Sequence, residues 1–238
     1  ISGTTNSATV VASGSTVSNT VTTSGSSFSL SAKYGDVVTL TATQTGYVCS
    51  VSGSPITVSG DTTANVSCTA NTYTISMTNT PTAAVTITGS TATNATNPNS
   101  ASSFNFSALH GDSVTLSASK TGYDCSVTPG ATITPIAGST TASVTCNAST
   151  YSISGATDGA TVTASGSTAS NTVTTSGSSY SVSAKYGDVV TLTATRAGYT
   201  CTVSSSASPY SFTQGAANTT ANVTCTANQY TIKAMVSG

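Results

Sequence analysis

The sequence has no tryptophan and no glutamate, and among its 238 residues it carries one histidine and five Lys/Arg. Each shortage excludes something. Five scattered cations make no basic stripe to neutralise phosphates, which argues against nucleic acid as a partner. No apolar run approaches the roughly 18 residues of a membrane span. A signal peptide is also lacking, and the chain opens at Ile1 rather than Met, as expected of a processed or excised product. Charged residues amount to only 5%, whereas disordered chains are charge-rich and poor in β-branched residues. What fills the space is hydroxyl: Ser and Thr supply about two-fifths of the chain, far above ordinary globular usage. Such a composition points to β-sheet.

A repeat sets the organisation. Residues 35–49 read GDVVTLTATQTGYVC, residues 111–125 GDSVTLSASKTGYDC and residues 187–201 GDVVTLTATRAGYTC. The shared pattern G-D-x-V-T-L-x-A-x-x-x-G-Y-x-C returns every 76 residues. A second cysteine follows each copy, at Cys68, Cys146 and Cys225, and an aromatic-led segment then opens the next unit at Tyr73, Tyr151 and Tyr230. Three tandem copies follow, at 1–72, 73–150 and 151–229, with a tail at 230–238.

Within a unit the apolar residues alternate. Val38, Leu40 and Ala42 fall on one face and Thr39, Thr41 and Thr43 on the other. Period two over four to eight residues marks half-buried strands, and Ser-Gly-Ser, Tyr-Gly-Asp and Thr-Gly-Tyr between them carry turn chemistry. In the second unit the expected strands lie near 73–77, 84–88, 103–109, 113–119, 123–128, 132–136 and 141–147. The expected fold is all-β: three immunoglobulin-like β-sandwich domains with one disulfide each. A small barrel is the alternative. Only four residues separate Cys68 from Tyr73 and Cys146 from Tyr151, so stiff connections and an elongated rod are expected.

A unit of this size buries little apolar surface and is marginal alone. Its two cysteines answer that. Fifteen pairings are formally possible, but the repeat selects those within a unit: Cys49 with Cys68, Cys125 with Cys146, Cys201 with Cys225. Zinc does not fit, because no pair is C-x-x-C and His110 stands alone. Disulfides place the protein outside the cytoplasm, at the cell surface or beyond.

The motif G-D-x-V-T-L-x-A-x-x-x-G-Y resembles the repeat of bacterial immunoglobulin-like surface domains, which occur in tandem in large adhesins and cell-wall proteins. It spans the central third of each unit. A common version carries Phe and Trp after Gly-Tyr, whereas a cysteine follows here. The resemblance implies an extracellular stalk, adhesive or filament-forming role and names no ligand.

Catalytic chemistry finds little footing, and the expectation is a non-enzyme without cofactors. Of six aspartates, Asp36, Asp112 and Asp188 occupy the same Gly-Asp turn in each copy, which suits a turn-former. Calcium would need several carboxylates converging near Asp61, Asp124 or Asp158. His110 stands where the sister units have Tyr34 and Tyr186, and reads as a surface variant of an aromatic position. Lys33 and Lys185 read as solvated strand-end charges. The threonine faces suit solvent-exposed strands, although sugar binding is the competing reading. Six asparagines (Asn65, Asn94, Asn105, Asn147, Asn218 and Asn222) meet the N-x-S/T rule, about as many as this composition yields by chance.

The two ends do not match. The second unit opens Tyr73-Thr-Ile75 and the third Tyr151-Ser-Ile153, but the first opens directly at Ile1. The chain then runs on past the third unit as an opening segment without a body. One explanation is that this tail, through Tyr230, Ile232, Met235 and Val236, completes the first unit of another copy, giving a homopolymer by strand donation. The other is a window cut from a longer array. A separate expectation makes the chain an adhesin fragment that reads a glycan or host surface through loops such as 204–213.

Overall fold

The computed structural model describes residues 1–14, 21–91, 101–233 and 235. Among these there is no helix; the chain forms 25 short strands. Seven strands of the second repeat stand where the alternation puts them: Thr72–Thr80, Ala84–Thr88, Ser103–Leu109, Val114–Ser119, Tyr123–Thr128, Thr132–Ile133 and Thr140–Ala148. The protein is all-β, with three β-sandwich-like domains carrying one disulfide each. Cα packing groups the chain into two compact units. One holds Ile1–Asn79, Val85–Ser117 and Val127–Val144; the other holds Thr80–Ala84, Ala118–Ser126 and Thr145–Gly238.

The third repeat shows how the sheets arise. Its opening strand Thr150–Ala156 pairs antiparallel with Ser179–Lys185 over seven residues, from Thr150 opposite Lys185 to Ala156 opposite Ser179. Its other edge pairs in parallel with Thr219–Thr220. A second sheet joins Thr161–Ser165, Val189–Thr195 and Tyr210–Thr213, and a third joins Ser206–Ala207, Tyr199–Val203 and Val223–Ala227. Alternate residues point inward, so Ile153, Tyr180, Val190, Leu192, Ala221 and Val223 pack into one core. Burial pushes the Tyr180 phenol up to about 12, and its hydroxyl donates to the Ala221 carbonyl.

The first repeat follows the same plan, with Val10, Phe28, Val38, Leu40, Ala64 and Val66 inside. Opposite Phe28 stands Gly3, and opposite Tyr180 stands Gly155. A Cβ on either would lie 1.7 Å from the Ala64 carbonyl oxygen or 2.1 Å from that of Ala221. Close passage of that backbone, and not turn geometry, requires glycine there.

The disulfides pair as the repeat predicts, but they do not span two sheets as in antibody-type domains. Cys49 faces Cys68 and Cys201 faces Cys225 as direct register partners on adjacent antiparallel strands. Their Cα atoms are 4.1 Å apart, and those of Cys125 and Cys146 are 4.0 Å apart. That spacing suits the close, non-hydrogen-bonded type of cross-strand pair. Each bridge therefore locks the register of the strand that leads out of its repeat.

The Gly-Asp turn owes its aspartate to more than turn propensity. The Asp188 carboxylate accepts the backbone N–H of Lys185 and both the N–H and the hydroxyl of Thr168. Asp112 does the same for Leu109 and Thr91, and Asp36 accepts the N–H of Lys33. Partial burial works against ionisation at Asp112 and Asp188, but these donors outweigh it and hold both carboxyls below the ordinary carboxylate range. A depressed folded-state value contributes stability that is complete above the unfolded value of about 3.9 and lost as pH falls through the folded one. Thermal stability is therefore expected to hold from neutrality down to about pH 4 and to fall below it. Asp188→Asn should cost about 1–2 kcal/mol at pH 7 and flatten the acid limb, read by calorimetry across pH. An unchanged acid limb would show that these carboxylates do not carry it.

Candidate assembly faces

The informative sites are the places where one repeat hands over to the next. The closing strand Val66–Ala70 is followed after one residue, Asn71, by the opening strand Thr72–Thr80. Ser149 likewise separates Thr140–Ala148 from Thr150–Ala156. At the first handover the Asn71 N–H donates to the Gly46 carbonyl, and the Asn71 carbonyl accepts the N–H of His110, both at 2.8 Å. At the second, Ser149 donates to Gly122 and accepts from Tyr186, both at 2.9 Å.

The side chains repeat this arrangement. The His110 ring lies over Gly46, 2.2 Å from where a Cβ would stand, and meets Tyr47 edge-on with ring centres 5.4 Å apart. Tyr73 adds a second edge contact at 6.2 Å. The Tyr186 ring lies over Gly122 in the same way, 2.3 Å from its missing Cβ, and meets Tyr123 at 5.6 Å. Glycine is required twice over at these positions, because φ is +81° at Gly46 and +78° at Gly122. Edge-to-face aromatic pairs each add about 0.5–1.5 kcal/mol beyond the area they bury. His110 is thus no surface variant. It is half-buried and acts as the plug of its junction. Composition hid this, since a residue read as a solvent-facing substitution turns out to pack on a glycine of the preceding repeat.

The two outer faces carry the same parts without their counterparts. Tyr34, equivalent to His110 and Tyr186, is 85% exposed. Beside it the sheet edge is unfilled. Ile1 takes the place of Ile153, exchanging two hydrogen bonds with Leu30. Ala184, opposite Tyr151, and Ala108, opposite Tyr73, are both fully buried. Their equivalent Ala32 is only half-buried, and its backbone N–H and carbonyl have no partner among the described residues. Ile1, Leu30, Ala32, Tyr34, Val58 and Asp61 line the resulting hollow of about 300 Å³. The strand Ser27–Ser29 accordingly stops four residues short of the length reached by Ser179–Lys185.

At the other end, Gly198 has no described residue within 4 Å of its missing Cβ, and Tyr199, which packs against the core of its repeat, carries the Arg196 guanidinium 3.9 Å above its ring. Asn228 already donates to the Gly198 carbonyl at 2.9 Å. The tail beyond it forms no strand among its described residues: Tyr230 is 78%, Ile232 94% and Met235 97% exposed. Val236 lies outside the described residues.

The remaining candidate positions have local duties. Among the described residues no three His, Cys or acidic side chains group as a metal site would require. The Asp158 carboxylate accepts the Cys225 N–H at 2.7 Å, and its carbonyl accepts from Arg196. Lys33 and Lys185 are exposed. Asn65 and Asn222 accept backbone N–H groups of Thr4 and Ala156; Asn94 lies outside the described residues. Residues 204–213, expected as a loop, form two short strands, with Tyr210 and Phe212 stacked 5.4 Å apart against the core. No described helix is long and apolar enough to cross a membrane.

No protein-family model matches the chain, and no curated protein matches it in sequence. Among solved structures it is similar to the Bacillus anthracis TIE protein, with 16% identity and a TM-score of 0.51. The likeness covers 92% of this chain and 47% of that one, so the chain spans about half of that protein's length. At this identity the likeness shows the β fold alone.

Proposed function

We propose that the protein is a non-enzymatic structural subunit of an extracellular, fimbria-like surface filament. Its repeats are of the immunoglobulin-like surface type, and copies assemble head to tail by β-strand donation. The observation that carries this reading is the pair of Ala32 backbone groups without a partner among the described residues, together with the exposed Tyr-Thr-Ile segment at 230–232. In the second and third repeats that place is taken by Tyr73 and Tyr151. An unfilled sheet edge is a template for an added strand.

In an extended donor Tyr230, Ile232 and Val236 share one face and Met235 takes the other. Ile1 already holds the core place of Ile75 and Ile153, so the donated stretch pairs through Tyr230 and Thr231, with Tyr230 as its anchor, and leaves the edge before Ile232. The three disulfides fit an oxidising compartment. Electron microscopy and sedimentation velocity of the purified chain test the reading. Filaments, or a series of multiples that lengthens with concentration, are expected. A single one-chain species at every concentration contradicts it.

A further inference from the structure

The Gly-Tyr turns of the three repeats share one geometry but differ at the residue three places before the tyrosine. That residue is Gln44, then Lys120, then Arg196. In each turn its carbonyl accepts the tyrosine N–H, at 3.0 or 3.1 Å, so its side chain starts from the same place. The second and third repeats use it alike. The Lys120 ammonium stands 4.7 Å over the Tyr123 ring, and the Arg196 guanidinium 3.9 Å over that of Tyr199. Arg196 also donates to the Asp158 carbonyl at 2.7 Å. Tyr123 holds its cation while meeting Tyr186 edge-on. An aromatic neighbour such as Tyr47 has in His110 therefore leaves room for one.

The first repeat keeps the place and lacks the charge. Gln44 is neutral, and its Oε1 is buried without a hydrogen-bond partner among the described residues. A buried acceptor left in that state is costly. Gln44 and Tyr47, with Ser7, Thr9 and Thr43, line a hollow of about 500 Å³. One wall, at Ser7, belongs to the turn that Arg196 reaches in the third repeat. Asn6 and Ser7 match Asp158 and Gly159, with φ of +46° and +60° against +47° and +71°. Both turns close alike, Ala8 donating to the Thr5 carbonyl and Ala160 to that of Thr157. By this match the Asn6 carbonyl takes the place of the Asp158 carbonyl. The turns differ in one respect. A Cβ on Gly159 would lie 3.3 Å from the Arg196 Cζ, so a cation beside Ser7 sits a few tenths of an ångström farther out.

We infer that this hollow of the first repeat is a binding site for a guanidinium group supplied from outside the repeat. A planar cation stacks on the face of Tyr47. Its five N–H donors, with no acceptor among them, serve the Asn6 carbonyl and the Gln44 Oε1 together. Every residue of the site belongs to the first repeat, so the inference does not rest on filament assembly. The same group is carried by an arginine of a partner chain and by a free guanidinium compound.

The test uses the full-length chain with labelled tyrosines, kept below its assembly concentration and titrated with N-acetyl-argininamide. NMR follows the Tyr47 ring, whose signals Tyr47→Phe assigns. Saturable shifts at that ring in the millimolar range are expected. N-acetyl-citrullinamide, alike in shape but uncharged, should bind about two- to five-fold more weakly. Gln44→Arg copies the third repeat and fills the hollow with its own side chain. It should abolish the shifts while circular dichroism shows an unchanged fold. Methylguanidinium separates the two sources: tighter binding of the blocked arginine assigns the site to a partner's arginine, and tighter binding of methylguanidinium to a free compound, both in support of the site. Absence of a saturable shift at Tyr47, equal affinity for the citrulline analogue, or binding that persists in Gln44→Arg overturns the inference.

Discussion

Chains lacking residues 230–238 are expected to stay single at concentrations where the whole chain assembles. Seating Tyr230 from its exposed position removes on the order of 150 Å² of surface, worth about 4 kcal/mol at ~25 cal/mol/Å². The backbone pair with Ala32 adds about 1 kcal/mol for each of two hydrogen bonds. Association sets against this the loss of translational and rotational freedom, at least about 4 kcal/mol. Deletion should therefore weaken association by more than about 100-fold, measured by sedimentation and by filament counts in micrographs. Tyr230→Phe should assemble as the native chain does, and Tyr230→Ala should approach the deletion. Filaments of normal length from the deleted chain would remove the tail from the account.

The second large effect falls on stability. Replacing Cys201 and Cys225 together by alanine opens a loop closed by a sequence separation of 24. The chain-entropy model assigns such a closure about 3 kcal/mol. A domain of this size has only about 5–15 kcal/mol in total and buries a modest share of its surface. The third repeat should lose on the order of 10–20 °C in Tm by scanning calorimetry. Loss of the cross-strand lock also loosens the strand Val223–Ala227 that leads to the tail, so assembly should weaken in the same variant. A fall in Tm of only 1–2 °C would mean that register and core hold the repeat without the bridge.

Much of this fold was legible in the sequence because its strands are half-buried. Val38, Leu40 and Ala42 alternate with three threonines, and the structure turns the first set inward and the second outward. The disulfide partners were legible from the repeat. What stayed hidden has no local pattern. The parallel pairing of Ile153 with Thr219, and the isolated bridge of Ser2 with Thr63, join segments some sixty residues apart. The glycines at 3 and 155 answer to that distant backbone and not to any nearby turn. Asp188 read correctly as a turn residue, but its bonds to Thr168, twenty residues earlier, could not be seen.

The candidate assembly faces were half visible. The match of Tyr230-Thr-Ile232 to Tyr73-Thr-Ile75 and Tyr151-Ser-Ile153 showed by alignment alone. The plug did not, because one substitution to histidine at 110 breaks the run of aromatics at that position. An alignment of His110 and Tyr186 against Gly46 and Gly122 contains the signal, but only packing reveals that these two rings belong to the preceding repeat's glycine.

The register of donation can be trapped directly. In the third repeat Ser152 faces Ser183, and the same alignment sets Thr231 of one copy opposite Ser31 of the next. Ile1 and Leu30 exchange both hydrogen bonds, so the neighbouring pair is of the close type that the native disulfides also use. Oxidation of the double variant Ser31→Cys, Thr231→Cys should give a ladder of covalent multiples on a non-reducing gel. That ladder should vanish on reduction and be absent from either single variant. One-chain bands that retain both added thiols under assembly conditions would contradict the account.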